Sequence, residues 1–451
     1  MLKNFLKYHK ISLIMMLSVV IMYAAFAYDL VRSDFVKLLS LYAALFFLSF
    51  KVIQLQKLDW KLLLGFGIVC RLVFLFAIPN LSQDFYRFIW DGRMIAEGIN
   101  PYLSTPQEWM QSGNFEVVAQ SRQLVEGMQS LNASHYTNYP PVSQWVYALA
   151  GVLYPKSILG SVIVMRIILI FADVVTFLFL RKLLQQLKLP QHRAFWYFLN
   201  PLVIIELTGN LHFEGLMVMC LLISIYLLLK KKWIWAAVLF GLSVSVKLLP
   251  LVLLPLFFHY FRKQERLNIY KLIAFYGIIF LTILITFLPF LSVELIQNFG
   301  DSVALWFNKF EFNASIYYVI RWIGFQTVGW NIIGIAGKIL PIIVLFAVLA
   351  LSLFEKNNSE KTLFVNMLFA LSIYFLLSTT VHPWYVITPL AISIFTNYKY
   401  LLVWSFTVIF SYSAYCINGF NEQLWLVGLE YVLVIGFLIY EFNSSEKIKL
   451  F

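Results

Sequence analysis

The run "ILGSVIVMRIILIFADVVTFLFL", residues 158–180, decides the fold. Its apolar residues are continuous rather than alternating, and a helix of about 20 such residues crosses the ~30 Å hydrocarbon layer of a bilayer. Lipid offers backbone N–H and C=O groups no partners, so a spanning segment is either a helix or a strand of a closed barrel. A barrel strand alternates apolar with polar residues. This run does not, and a helix is predicted.

Runs of the same kind recur at 12–28, 37–53, 62–79, 194–208, 211–230, 269–290, 331–354, 362–380, 384–397, 400–416 and 423–441. The chain is 61% hydrophobic and 12% charged, about half the charged share of a soluble domain. The reading is an all-α polytopic membrane protein, a single domain over 1–451 with about 12–14 transmembrane helices. No fixed-period repeat, low-complexity tract or separate soluble domain is visible. Lys3, Lys7 and Lys10 precede the first run, and "AFA" at 25–27 resembles a signal-peptidase site, but so many further spans favour an uncleaved anchor. Cys70, Cys220 and Cys416 are far apart in or beside apolar runs and read as small core residues.

The net charge of +12 does not point to nucleic acid, because Lys and Arg gather in short connectors. The clusters are Lys3/Lys7/Lys10, Lys51/Lys57/Lys61, Arg181/Lys182/Lys188/Arg193, Lys230/Lys231/Lys232, Arg262/Lys263/Arg266/Lys271, Lys356/Lys361, Lys399 and Lys447/Lys449. The positive-inside rule puts them all on the cytoplasmic side, with both termini. Each pair of neighbouring clusters must then be separated by an even number of crossings. Residues 141–154 are too short for a comfortable crossing, so they lie on or dip into the outer face. The stretch 233–261 is basic at both ends and carries Lys247, Pro250 and Pro255 inside, so it reads as two short helices broken near Lys247.

This arrangement collects the polar motifs on one, non-cytoplasmic, face: "SQDFYRFIWDGRMIAEG" from Ser82, "YPPVSQW" from Tyr139, "GNLHFEG" from Gly209, Lys247, the loop 308–321 and "HPWY" from His382. Function on loops over a rigid scaffold has this signature. Within the hydrophilic segment 79–141, Phe85, Ile89, Met94 and Ile95 alternate with charges, which suits a juxtamembrane helix lying in the interface, anchored by Arg and Trp, with Asp84 in its first turn.

There is no GxxxxGK[ST], HExxH, Cys/His cluster or GxSxG turn. What remains at this face is carboxylates, cations, histidines and aromatic rings. A carboxylate can act as general base towards a hydroxyl, cations beside it can hold a departing phosphate, and aromatic faces suit sugar rings. The inventory fits transfer of a sugar from a phosphate-linked lipid. No cofactor is required by it, and no ligand cluster calls for a divalent metal, although one would be compatible.

The motifs "QDFYRFIWDGRMIAEGINPY", "YPPVSQ", "NPLVIIELTGNLHFEGLMV", "SVKLLPLVLLP" and "HPWY", in order over about 84–385, resemble the GT-C superfamily of integral-membrane glycosyltransferases. Within it they are similar to polyprenyl-phosphomannose-dependent mannosyltransferases of bacterial envelopes. The resemblance implies a GT-C-like helix bundle in the inner membrane, a polyprenyl-phosphate sugar donor, an envelope glycan or glycolipid acceptor, and a general-base Asp in the first outer loop, which Asp84 matches. It implies inverting transfer of a hexose, mannose foremost. Where relatives read His-x-Asp, this chain has His212-Phe213-Glu214, one methylene longer, so the acceptor geometry differs.

The residues assigned on this reading are Asp84 as base; Lys247, His382, Arg321 and Arg93 for the donor phosphate; and Asp91, Arg87, Tyr139, His212, Glu214, Trp384 and Tyr385 for acceptor or sugar. Structural readings stand beside each. Asp84 could cap its helix, Asp91 could pair with Arg87 at i,i+4, Lys247 could sit in an ion pair within the bundle, and His382 could be a structural hydrogen-bonder. Tyr139, Trp384 and Tyr385 could be interfacial aromatics, and Arg166 and Asp173 could pair with each other or with neighbouring helices. A transporter or flippase for a lipid-linked sugar is the alternative function, since intramembrane charges and a Pro-broken helix also mark transporters. The donor sugar, linkage, acceptor and oligomeric state are not legible.

Overall fold

The computed structural model describes residues 2–263, 267–354, 359–417 and 419–444, with side chains from residue 9 onward except those of 263 and 354. Of the basic positions named above, Arg266, Lys356, Lys447 and Lys449 lie outside the described residues.

The chain is helical almost throughout. In order come α1 (Leu2–Asp29), α2 (Phe35–Gln56), α3 (Trp60–Leu72), α4 (Asp84–Ala96), α5 (Pro106–Gln111), α6 (Ser121–Ala133), α7 (Pro141–Leu153) and α8 (Ile158–Gln186). Then follow α9 (Phe195–Phe198), α10 (Pro201–Val203), a π-helical turn (Ile204–Gly209), α11 (Glu214–Leu229), α12 (Trp233–Val246), a 3-10 stretch (Leu249–Leu256) and α13 (Phe257–Lys263). The remainder is α14 (Ile269–Phe287), α15 (Val293–Asn308), α16 (Ile316–Thr327), α17 (Ile333–Phe354), α18 (Glu360–Leu376), α19 (Ile387–Ser393), α20 (Tyr400–Thr407) and α21 (Leu424–Asn443). Two-residue strands, Tyr415–Cys416 and Gly419–Phe420, form a small hairpin before α21. Cys416 is exposed there, so only Cys70 and Cys220 are core residues.

Among the described residues six helices are long and apolar enough to cross a membrane, α1 from His9, α2, α8, α14 with its 3-10 end, α17 and α21, and a seventh span results if Pro201–Gly209 and Glu214–Leu229 act as one bent pair. Side-chain oxygens start several of them. Asp34 caps α2, Asp59 caps α3, Ser157 caps α8, Asn268 caps α14 and Ser292 caps α15, each accepting a hydrogen bond from an otherwise orphaned backbone N–H.

Several expected crossings are not continuous helices. The 62–79 run is helical only to Leu72, and 194–208 is cut into α9, α10 and the π turn, which meets α11 at a bend of 114°. The 384–397 run yields the seven-residue α19, and 400–416 becomes α20 and a 3-10 helix, Val408–Ala414. The reason is burial: residues 194–215 are all buried, and so are 386–396. Irregular backbone is tolerated at membrane depth where protein rather than lipid surrounds it. Pro201 and Pro383 stand at the first positions of such segments, where a missing N–H costs no helical bond, and the carbonyls of Tyr197 and Thr379 accept from the backbone N–H groups of Asn200 and Phe312. The predicted break in 233–261 falls at Lys247, which is extended (φ −151°, ψ 145°) between α12 and the 3-10 stretch.

Two buried arginines hold the interior. Arg71 Nε donates to Asp173 Oδ2 at 2.9 Å, while its Nη atoms reach the carbonyls of Gly67 and Phe198. Arg166 does not pair with Asp173. It donates to four carbonyls, Thr208 (2.7 Å), Gly209 (3.0 Å), Ala77 (2.6 Å) and Leu75 (3.1 Å), which belong to the π turn and to the loop after α3. Both charges are therefore satisfied inside the bundle.

Helix α4 begins at Asp84, as predicted, but its expected Arg and Trp anchors are buried in protein. Trp90, Arg87 and Arg93 pack against protein rather than standing free on the helix surface. The helix is sandwiched between α6 and α7, and its crossing with α7 is closed by glycines. A Cβ on Gly92 would meet the Tyr147 carbonyl oxygen at 2.1 Å, and one on Gly151 would meet the Gly92 carbonyl oxygen at 2.7 Å. Rigid backbone cannot yield as a side chain does, so Gly92→Ala should destabilise by about 1–3 kcal/mol or more, whereas Gly98→Ala, which meets no atom within 4 Å but sits at φ +77°, should cost about 1 kcal/mol from backbone strain alone. Thermal unfolding in detergent checks the order.

Candidate active site

A cavity of about 410 Å3 opens where the connectors α1–α2, α3–α4, α6–α7, α11's start, the Lys247 break, α15 and the α18–α19 connector converge. Its polar wall includes Asp84, Lys247, Glu214, His382 and Arg32. Its apolar wall includes Met217, Leu249, Val252, Phe307 and Phe375.

Asp84 is brought there by the loop before α4. Asn80 Nδ2 donates to the carbonyls of Phe26 (2.8 Å) and Leu30 (3.1 Å), and Leu81 N donates to Asn210 Oδ1 (3.2 Å). Asp84 does not cap α4: the N-cap is Gln83, without a side-chain bond. Its Oδ1 instead accepts from Asn132 Nδ2 at 3.2 Å. Burial raises the Asp84 carboxyl above its ordinary value, and Lys247, the Asn132 hydrogen bond and Arg32 pull it part of the way back.

Asn132 is placed by Arg87. Arg87 pairs with Asp91 through Nε and Oδ1 at 2.8 Å, both side chains being buried, and its Nη1 donates to the carbonyls of Asn132 (2.7 Å) and His135 (2.9 Å). Gln144 Nε2 donates to the other Asp91 oxygen. Neither Arg87 nor Asp91 lines the cavity, so the structure gives this pair a supporting place behind the site rather than contact with a sugar.

Lys247 reaches the cavity because α12 ends one residue before it, with the Val246 carbonyl accepting from Ser143 Oγ at 2.9 Å. Lys247 Nζ pairs with Glu214 Oε1 in the first turn of α11. The lysine side chain is 20% exposed, and the buried Glu214 Oε2 has no hydrogen-bond partner. The two predicted residues thus meet each other.

His382 is held by a short pairing between two connectors. Phe312 N donates to the Thr379 carbonyl (3.1 Å) and Val381 N to the Phe312 carbonyl (2.9 Å). Its ring lies parallel to Trp384 at 4.4 Å, and on the other side Trp384 stacks on His212 at 3.6 Å. Burial, reinforced by Arg32 and Lys247, lowers the imidazole to about 3, so His382 is neutral at physiological pH. Its buried Nδ1 has no partner.

Tyr139, Trp384 and Tyr385 line the cavity. His212 is one layer behind it, in contact with Trp384. Arg321 and Arg93 lie elsewhere: Arg321 pairs with Glu311 at 2.5 Å, and Arg93 donates to the Ala119 carbonyl and to Gln120 Oε1. Neither is among the lining residues. Sequence reasoning missed Arg32, Gln83, Asn132, Asn138, Trp306 and Tyr415, all in the wall. For Arg32 a signal existed, since it is a basic residue outside every cluster that the orientation rule explains. Among the described residues no three His, Cys, Asp or Glu side chains gather around a common point.

A buried carboxylate, a lysine, a neutral imidazole and stacked rings facing an apolar wall can deprotonate a hydroxyl beside an anionic, lipid-linked group. Comparison with known proteins finds mannosyltransferases. Alpha-(1->6)-mannopyranosyltransferase A of Corynebacterium glutamicum is 25% identical over 187 residues, which are 40% of this chain and 35% of that protein. Alpha-(1->6)-mannopyranosyltransferase B of the same organism is 25% identical over 150 residues, 33% of this chain and 24% of that one. Alpha-(1->6)-mannopyranosyltransferase A of Mycobacterium tuberculosis is 20% identical over 337 residues, 71% of this chain and 62% of that one. The matches span less than two thirds of each relative's length. Residues 15–262 match the family described as alpha-(1->6)-mannopyranosyltransferase, N-terminal domain, and this stretch carries Asp84, Glu214 and Lys247. The chain belongs to the alpha-(1->6)-mannopyranosyltransferase family.

Proposed function

We propose that the protein transfers mannose, with inversion, from a polyprenyl-phosphate donor to a hydroxyl of an envelope glycan or glycolipid. The observation that carries this is the meeting of Asp84 with Lys247 in one cavity that also has an apolar wall. Asp84 takes the proton from the acceptor hydroxyl, whose oxygen attacks the anomeric carbon. The bond from that carbon to the phosphate oxygen breaks, its electron pair leaving on the phosphate, beside Lys247 and neutral His382. Tyr139, Trp384 and Tyr385 supply faces and hydroxyls for sugar, and the apolar wall suits the start of the polyprenyl chain. On this reading both termini are cytoplasmic and the cavity opens at the outer face of the inner membrane, which the distribution of basic connectors supports. No step calls on a cofactor.

The test is release of polyprenyl phosphate from synthetic polyprenyl-phosphate mannose by purified protein in detergent with a panel of mannoside acceptors. Release that depends on acceptor supports the reading; an inert protein with mannose, glucose and arabinose donors returns the choice to a transporter. The pH profile is a further expectation. The base works only when ionised, so activity falls as pH drops through a carboxyl value raised by burial. The acid limb of kcat/KM therefore lies above the ~3.9 of a free aspartate. His382 stays neutral across the working range and adds no limb.

A further inference from the structure

We propose that Arg32 binds the donor's departing phosphate and takes up the second negative charge which that group acquires as the glycosidic bond breaks. The inference rests on the lipid-phosphate donor of the preceding section.

Arg32 stands in the connector between α1 and α2 and lines the same cavity as Asp84, Lys247 and His382. Like Arg93 and Arg166 it has no carboxylate partner, but unlike them it lines the cavity, and its state differs from that of the ion-paired cations. Lys247 is matched by Glu214, Arg71 by Asp173, Arg87 by Asp91 and Arg321 by Glu311. Among the described residues no carboxylate oxygen lies within 4 Å of Arg32. Its Nη1 donates to the neutral Gln83 Oε1 at 2.9 Å, and its guanidinium carbon sits 3.2 Å from the centre of the Tyr415 ring. The buried Nε has no hydrogen-bond partner. The group is thus oriented on two sides, by a hydrogen bond and a ring face, and leaves the Nε edge of a bidentate fork unused. Guanidinium forks match phosphate oxygens.

Charge balance gives that fork a task. Before reaction the donor is a phosphodiester with one negative charge, and Asp84 carries another. Transfer moves a proton onto Asp84 and the electron pair of the breaking carbon–oxygen bond onto the phosphate, which becomes a monoester dianion. Total charge is unchanged, but negative charge has moved from the carboxylate to the phosphate. Lys247 is already neutralised by Glu214, whereas Arg32 is not. An interaction that strengthens along this path lowers the barrier rather than the ground state.

The experiment compares binding of farnesyl phosphate, its monomethyl ester and farnesol at pH 8 through tryptophan fluorescence, since Trp306 and Trp384 line the cavity. Wild type is expected to bind the monoester more tightly than the methyl ester, and Arg32→Gln to lose about 10–100-fold in monoester affinity while methyl ester affinity stays within about threefold. Arg32→Lys, which keeps the charge and loses the fork, should fall between. In turnover, kcat of the variants falls while donor KM changes little. A Gln variant, or a Lys variant should the Gln protein not fold, that keeps the wild-type preference for the monoester overturns the proposal and leaves the donor reading standing. A wild-type protein that binds farnesyl phosphate no better than farnesol overturns the donor reading itself.

Discussion

Asp84→Asn should lower kcat by about 10²–10⁴-fold, the contribution of a positioned general base, while leaving donor KM and thermal stability close to wild type. The substitution is isosteric, and the side chain can keep an oxygen towards Asn132 Nδ2. It also removes a buried negative charge whose ionisation burial already opposes, so the fold does not depend on it. Lys247 retains Glu214 and remains available to the donor phosphate. A loss of three decades in rate corresponds to about 4 kcal/mol of activation free energy. Steady-state rates and donor binding, measured on the same preparation, separate the outcomes. An Asn variant with ordinary turnover would sink the base assignment, and one that fails to bind donor would make Asp84 a binding residue.

The largest effect on stability is expected at Asp173. Its carboxylate and the Arg71 guanidinium are fully buried, so Asp173→Ala leaves a guanidinium with two carbonyl partners and no counter-ion. Breaking a buried pair from one side costs about 3–5 kcal/mol, whereas replacing both members by apolar groups of similar volume is close to neutral. Asp173→Ala should therefore unfold at a clearly lower temperature in detergent, and Arg71→Met with Asp173→Leu should recover much of the loss. If the single and double variants unfold together, the pair does not act as a unit.

The sequence carried the class and seven of the side chains in the cavity wall. Continuous apolar runs specify spanning helices through backbone solvation alone, and α1, α2, α8, α14, α17 and α21 follow them closely. The orientation rule brought Asp84, Tyr139, Glu214, Lys247, His382 and Trp384 to one end before any contact was known, and all of these line one cavity. What failed had a common physical cause. Hydropathy registers that a residue is removed from water and does not distinguish lipid from protein as the new surroundings. Hence 194–208 and 384–397 read as unbroken spanning helices although they are broken segments buried in protein, and Trp90 and Arg93 of α4 read as interfacial anchors although they are inside. The choice among cations failed similarly. Arg93 and Arg321 have partners away from the cavity, far along the chain or across a loop, whereas Arg32 meets a neutral glutamine and a tyrosine ring in the cavity wall; tertiary structure reports that difference.

The four carbonyls on Arg166 come from two segments, one leading to Asp84 and the other to Glu214 with its partner Lys247. A single planar group, itself carried by the long helix α8, acts as a rivet through both. The spacing between Asp84 and Lys247 is thus settled by the fold itself, and on the proposed reading substrate binding free energy need not go into assembling them. That is the condition under which an electrostatic site works without reorganising during the reaction. It also means that the tolerance of this geometry is governed from a residue outside the cavity wall.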